Sequence, residues 1–243
     1  MSSERSPHRK TGKLPAPIVE SLPDFPGTTQ PGLIPKPLLD WRDTLEVTIV
    51  SLNVSPPMAG LRDEVQLLVD SQPVGDRVEV TEGEGSYLRI QLPVTSLPQD
   101  RTYALTYELH QFIGVVEESE QTLITVDRTA PLGLAAPSLT DTEFSLSSLT
   151  GPVNIQIPAY NGVRAGDTVW FYLFTQDEPD LEYPPVDHHK VDASQIEGGI
   201  VAELSADHFQ PVGPAEARLQ YRVVDLAGNW SALSEPATVL MTD

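Results

Sequence analysis

Asp187-His188-His189-Lys190, with Asp192 two residues on, is the cluster in this chain whose residue types match metal-ligand chemistry. Imidazole nitrogens suit zinc, copper or nickel, and carboxylates can complete such a shell. The spacing works against it, because adjacent histidines on an extended segment point to opposite sides. The Lys190 ammonium would also repel a cation. An exposed polar loop is therefore the leading expectation, with ligand contact or a metal at His188 and His189 behind it. Calcium asks for roughly six to eight oxygens. Asp127, Asp141 and Glu143 offer carboxylates around a joint in the chain, with Glu117, Glu118 and Glu120 in a turn that could face it. No D-x-D-x-D loop is present, so solvated acidic turns are the plain alternative. Calcium is thus a possible ligand, and no other cofactor is expected.

Catalysis finds less support. The histidines are His8, His110, His188, His189 and His208, and no serine sits in a G-x-S-x-G elbow. Carboxylates are everywhere, but no pair is marked out by spacing. Gly83 and Gly85 are flanked by glutamates, which repel phosphate rather than cradle it. No enzymatic activity is expected.

Charge is the strongest deviation in composition: 35 acidic against 15 basic residues, net −20. The first 39 residues hold five basic and three acidic side chains, so the remainder carries about −22. A surface of that sign repels nucleic-acid phosphates and anionic lipid heads. Neither nucleic acid nor direct membrane insertion is expected, and a protein or glycan partner is. The bland reading is that acidity keeps an edge-exposing β protein soluble. With no cysteine, disulfides and thiolate chemistry are excluded. No apolar run approaches the roughly 20 residues of a membrane span. Arg5, Arg9, Lys10 and Lys13 imitate a signal n-region, but the stretch from Leu14 is broken by Pro15, Pro17 and Glu20. No classical secretion signal is read there. By itself that leaves the cytoplasm or a non-classical export route.

The elements that must carry these residues are strands. Residues 1–39 hold eight of the 23 prolines and read as a flexible arm, with Leu33, Ile34, Leu38 and Leu39 apolar enough to lie on the first domain. From Asp40 to Arg128, about seven short alternating runs are separated by turn residues, the pattern of an immunoglobulin-like sandwich. Residues 129–243 repeat the plan, with a long polar insertion from Gln176 to Ala193. Leu105, Tyr107 and Gly114 recur at Leu219, Tyr221 and Gly228, an offset of 114 residues, and Leu109 is matched by Val223. A repeat of this length is a whole domain. Tyr107 and Tyr221 are expected in the cores with their hydroxyls satisfied. Trp170, inside the apolar run Val169–Phe174, is expected in the core as well. Trp230 sits beside Asn229 at a hairpin tip, where an exposed indole would stack on a sugar or partner. Folding back onto the sandwich outweighs that reading.

Asp225-Leu226-Ala227-Gly228-Asn229-Trp230-Ser231 resembles the V-x-D-x-A-G-N-x-S hairpin of bacterial immunoglobulin-like repeats found in large surface adhesins. Val126-Asp127-Arg128-Thr129-Ala130-Pro131 is similar to the V-D-x-T-A-P joint between such repeats. The first unit departs from the pattern, since Gln111 to Val115 keeps the glycine but neither the acid nor the asparagine. The resemblance implies an all-β tandem of two sandwiches behind a disordered proline-rich arm. It implies a non-catalytic adhesion or spacer protein, calcium at the joint as a stiffener, and a bacterial cell-surface location reached by a non-classical route, with the cytoplasm as the alternative. Ligand contact is expected at the insertion and near Trp230, through Trp230, Asn229, His188 and His189. The alternative is an intracellular or secretion-associated interaction accessory docking through its arm. A carbohydrate-binding module, which would present a row of exposed aromatics, is the third reading.

Overall fold

The computed structural model describes residues 13–19, 30–50, 52, 60–80, 87–175 and 184–243. It divides into two compact units, 1–127 and 128–243. Each is a sandwich of two sheets in the immunoglobulin manner.

In the first unit one sheet runs β1 (Ile18–Val19), β2 (Thr44–Val50), β5 (Tyr87–Pro93). The other runs β4 (Gln72–Glu79), β3 (Glu64–Val69), β6 (Arg101–His110). Beyond β6, β7 (Val116–Glu118) pairs its C-terminal half and β8 (Thr122–Val126) its N-terminal half. Strict alternation puts Leu45, Val47 and Ile49 of β2 into the core, facing Tyr103, Leu105, Tyr107 and Leu109 of β6. Asp70 and Ser71, both at positive φ, close the β3–β4 hairpin, and β4 continues through Pro73 and Gly75. The Tyr103 hydroxyl donates to the Gln99 carbonyl at 2.9 Å and accepts its amide at 2.8 Å, a tyrosine corner that locks the entry to β6.

The arm expected over residues 1–39 lies partly outside the described residues, at 1–12 and 20–29. Its described parts belong to the sandwich. Ile18 and Val19 pair with β2, Leu14 bridges Ser119, and Leu33 bridges Thr125 beside β8. Leu14, Val19, Leu33, Ile34 and Leu39 are buried in this unit, the last on the short helix α1 (Lys36–Trp41). The sandwich thus begins before Asp40. Proline is tolerated here because these are edge segments making few ladder bonds. Gly32, at φ +59°, passes so close to the Leu123 carbonyl that a side chain would collide with it.

The second unit repeats the topology. One sheet is β9 (Ser138–Leu139), β11 (Val153–Ile157), β14 (Ile200–Leu204). The larger is β10 (Glu143–Ser145), β16 (Ala237–Thr242), β15 (Glu216–Val224), β12 (Thr168–Phe174), β13 (Asp187–Lys190), with β10 parallel to β16. The hairpin glycines match: Gly114 at φ +88° and Gly228 at +89°. So do two serines whose hydroxyls accept the amides of the paired core tyrosines, Ser119 for Tyr107 at 2.9 Å and Ser234 for Tyr221 at 3.0 Å. No long helix interrupts this plan, and no described helix is long and apolar enough to cross a membrane.

Candidate functional site

The larger sheet of the second unit positions the site. Val169, Phe171 and Leu173 of β12 face the core, so Trp170, Tyr172 and Phe174 alternate onto the opposite face, where Trp170 is half-buried and Tyr172 and Phe174 are buried. Trp170 is therefore not in the core: it stands directly opposite His188 of β13 and Arg222 of β15. The unbroken apolar run concealed this alternation.

His188 lies in strand β13 rather than in a loop, because Asp187–Lys190 takes four register partners from β12. Residues 176–183 of the insertion lie outside the described residues. The exposed His188 imidazole stacks on Trp170, with centroids 4.8 Å apart and planes 27° apart. Trp170 meets Trp230 at 6.1 Å. The Arg222 guanidinium lies over Trp230 at 5.0 Å, and its Nε donates to the Ser231 carbonyl at 2.9 Å. The result is one column, His188–Trp170–Trp230–Arg222, laid across three strands and a hairpin. Trp230 is 44% exposed, while the Trp170 indole N–H is buried without an acceptor. The structure thus unites the insertion and the hairpin, which the sequence marked separately.

Two further candidates stay apart from the column. His189 points to the other side of β13, where its Nε2 lies 3.0 Å from Gln195 Oε1 on the short helix α2 (Ala193–Gly198). Asn229 is 1% exposed and builds the turn instead: its amide N–H donates to Asp225 Oδ1 at 2.8 Å and its Nδ2 to Asp225 Oδ2 at 2.9 Å.

The carboxylates named for calcium are dispersed. Asp127, at the end of the first unit, is buried and accepts from Gln30 Nε2 at 2.9 Å. Asp141 and Glu143 are exposed in the second unit. Asp141 lines an open pocket of about 390 Å³ with Thr140, Ser148 and Asn154, where it is the sole carboxylate. Among the described residues no three His, Asp or Glu side chains gather as a metal shell.

Inside the second unit Asp167 is 0% exposed. Its Oδ2 accepts from the Tyr160 hydroxyl at 2.8 Å and the Arg164 amide at 3.0 Å, while Oδ1 has no partner. Burial pushes this carboxyl up to about 6, against those two hydrogen bonds and with help from the nearby Asp225. Tyr107 and Tyr221 are fully buried as expected, but their hydroxyls are unpaired rather than satisfied, and burial pushes both up to about 12.

Sequence reasoning missed Trp170 and Arg222 as surface groups. Parity was the usable signal. Tyr221 and Val223 are core residues, so Arg222 between them must face outward, and its register partner Trp170 faces the same way.

No family model matches the chain. No curated protein matches it. Solved structures do. A chain of a 1.5-MDa bacterial ice-binding adhesin, studied for host cell surface retention, is 15% identical with TM-score 0.45, covering 87% of this chain and 60% of that one. The fibronectin(III)-like modules of Clostridium thermocellum CbhA are 10% identical with TM-score 0.39, covering 93% and 92%. A Ca2+-stabilized adhesin of an Antarctic bacterium is 15% identical with TM-score 0.44, covering 87% and 46%. The chain thus spans less than two thirds of each of these two adhesin chains. At these scores the fold rests on strand order and register: an all-β tandem of two immunoglobulin-like sandwiches.

Proposed function

We propose that this chain is a non-catalytic binding and spacer protein of the surface-adhesion type, which meets its ligand on the outer face of the second sandwich. The observation that carries this reading is the column His188–Trp170–Trp230–Arg222 on the outer sheet face, with His188 and Trp230 exposed and Trp170 and Arg222 half-buried. Tryptophan and arginine dominate binding hot spots because a large rigid ring and a planar cation lose little conformational freedom on contact. The first sandwich acts as spacer, with its own edge covered by Leu14 and the Leu33 segment. The competing reading, docking through the arm, loses residues 33, 34 and 39 as free docking groups because they are core.

The test is retention of the labelled full chain on bacterial and host cell surfaces, comparing wild type with Trp230→Ala. The expected result is at least about tenfold weaker retention by the variant, as for a hot-spot truncation of about 2 kcal/mol. Equal retention of a variant that still melts normally would overturn the assignment of the face.

A further inference from the structure

We infer that the ligand of this face is an acidic saccharide bearing sparse carboxylates, held by Lys190 and Arg222 at the two flanks of the tryptophan pair; this rests on the binding role proposed above. Lys190 and Arg222 stand on the same side of the sheet, opposite Thr168 and Trp170 of β12 respectively. Among the described residues neither has a carboxylate partner. That is a notable exception in a unit with 16 acidic and five basic side chains, where a partner is easy to supply. Arg218 is on this face too, so three of the unit's five cations are gathered there. The described carboxylates nearest in sequence to the pair are Asp192, two residues from Lys190, and Asp225, three residues from Arg222, while Glu216 lies two residues from Arg218. The carboxylates near the pair serve other groups: Asp187 meets His208, Asp225 accepts from Asn229, and Asp192 caps α2. Asp177, Glu178, Asp180 and Glu182 lie outside the described residues.

This arrangement selects its ligand by two chemistries at once. Indole faces and edges take the apolar C–H faces of a sugar ring, and guanidinium and ammonium take a carboxylate. Two strand spacings and a two-residue offset separate Lys190 from Arg222 by about 12 Å, the span of a short oligosaccharide. The net charge of −20 sets an upper limit on ligand charge. A dense polyanion is repelled by the rest of the chain, whereas a saccharide with a carboxylate on every second ring meets mainly this face.

The experiment is calorimetric titration of the full chain with three probes: a hyaluronate oligosaccharide, a neutral cello-oligosaccharide of equal length, and a heparin fragment. The hyaluronate probe is expected to bind at least about tenfold more tightly than the neutral one, with affinity falling as salt rises. Lys190→Glu, at an exposed position without a partner, is expected to weaken it about tenfold without changing melting. Equal binding of neutral and acidic probes, or preference for heparin, would overturn the inference. If no saccharide binds while Trp230→Ala still reduces surface retention, the inference fails and the binding role stands. If neither measurement responds to the face, both fall.

Discussion

Two tyrosine hydroxyls show what the cores tolerate. Tyr107 and Tyr221 supply ring volume at matching positions, yet each buries an O–H without a partner. A buried unmet hydroxyl costs about 1–3 kcal/mol. Tyr107→Phe and Tyr221→Phe are therefore expected to leave stability unchanged or raise it by about 1 kcal/mol, read from denaturant midpoints at constant m-value. Burial of Asp167 gives stability a pH dependence whose sign follows from its raised pKa. Its folded-state pKa of about 6 lies above the ordinary 3.8, so folding favours the protonated form. Its stabilising effect is complete below about pH 4 and is lost as pH rises through 6. The full span is on the order of 3 kcal/mol. Asp167→Asn should flatten the pH dependence of second-unit stability between pH 4 and 7. An unchanged slope would show that the carboxyl does not titrate there.

At the scale of elements, the first sandwich depends on segments that look dispensable. Leu14, Val19, Leu33, Ile34 and Leu39 each bury a side chain worth about 1.5–3 kcal/mol, against a domain stability of about 5–15 kcal/mol. Removing residues 1–39 is expected to unfold the first unit while leaving the second folded, seen as loss of one transition in calorimetry. Strands with clean alternation, such as β2, β11 and β14, were legible from sequence because one face is buried and the other wet. Others were hidden by physics that alternation does not report. Prolines masked the edge pairing of residues 14–19. Four polar residues masked β13, an edge strand whose pairing rests on the backbone of β12. The run Val169–Phe174 concealed an outward aromatic row, since aromatics stacking on one another read as apolar on both faces. At the candidate site, His188 and Trp230 were legible from residue type. Their meeting was not, because it depends on Trp170 and on the register of β12 with β13.

At the scale of the molecule, the acidic surface and the cationic-aromatic face are complementary features of one design. The chain as a whole repels anions, and one face of the second sandwich carries cations flanking two indoles. The central claim is that this face is where the ligand sits. The three tryptophans make it directly measurable, because Trp41, 83% exposed in the first unit, serves as an internal control for Trp170 and Trp230. Titrating the hyaluronate oligosaccharide into the isotope-labelled chain and following the indole N–H resonances is that measurement. The account predicts that the Trp170 and Trp230 signals shift together and saturate while Trp41 stays fixed. Three unmoved signals would contradict the acidic-saccharide inference, and a shift of Trp41 alone would contradict the assignment of the face.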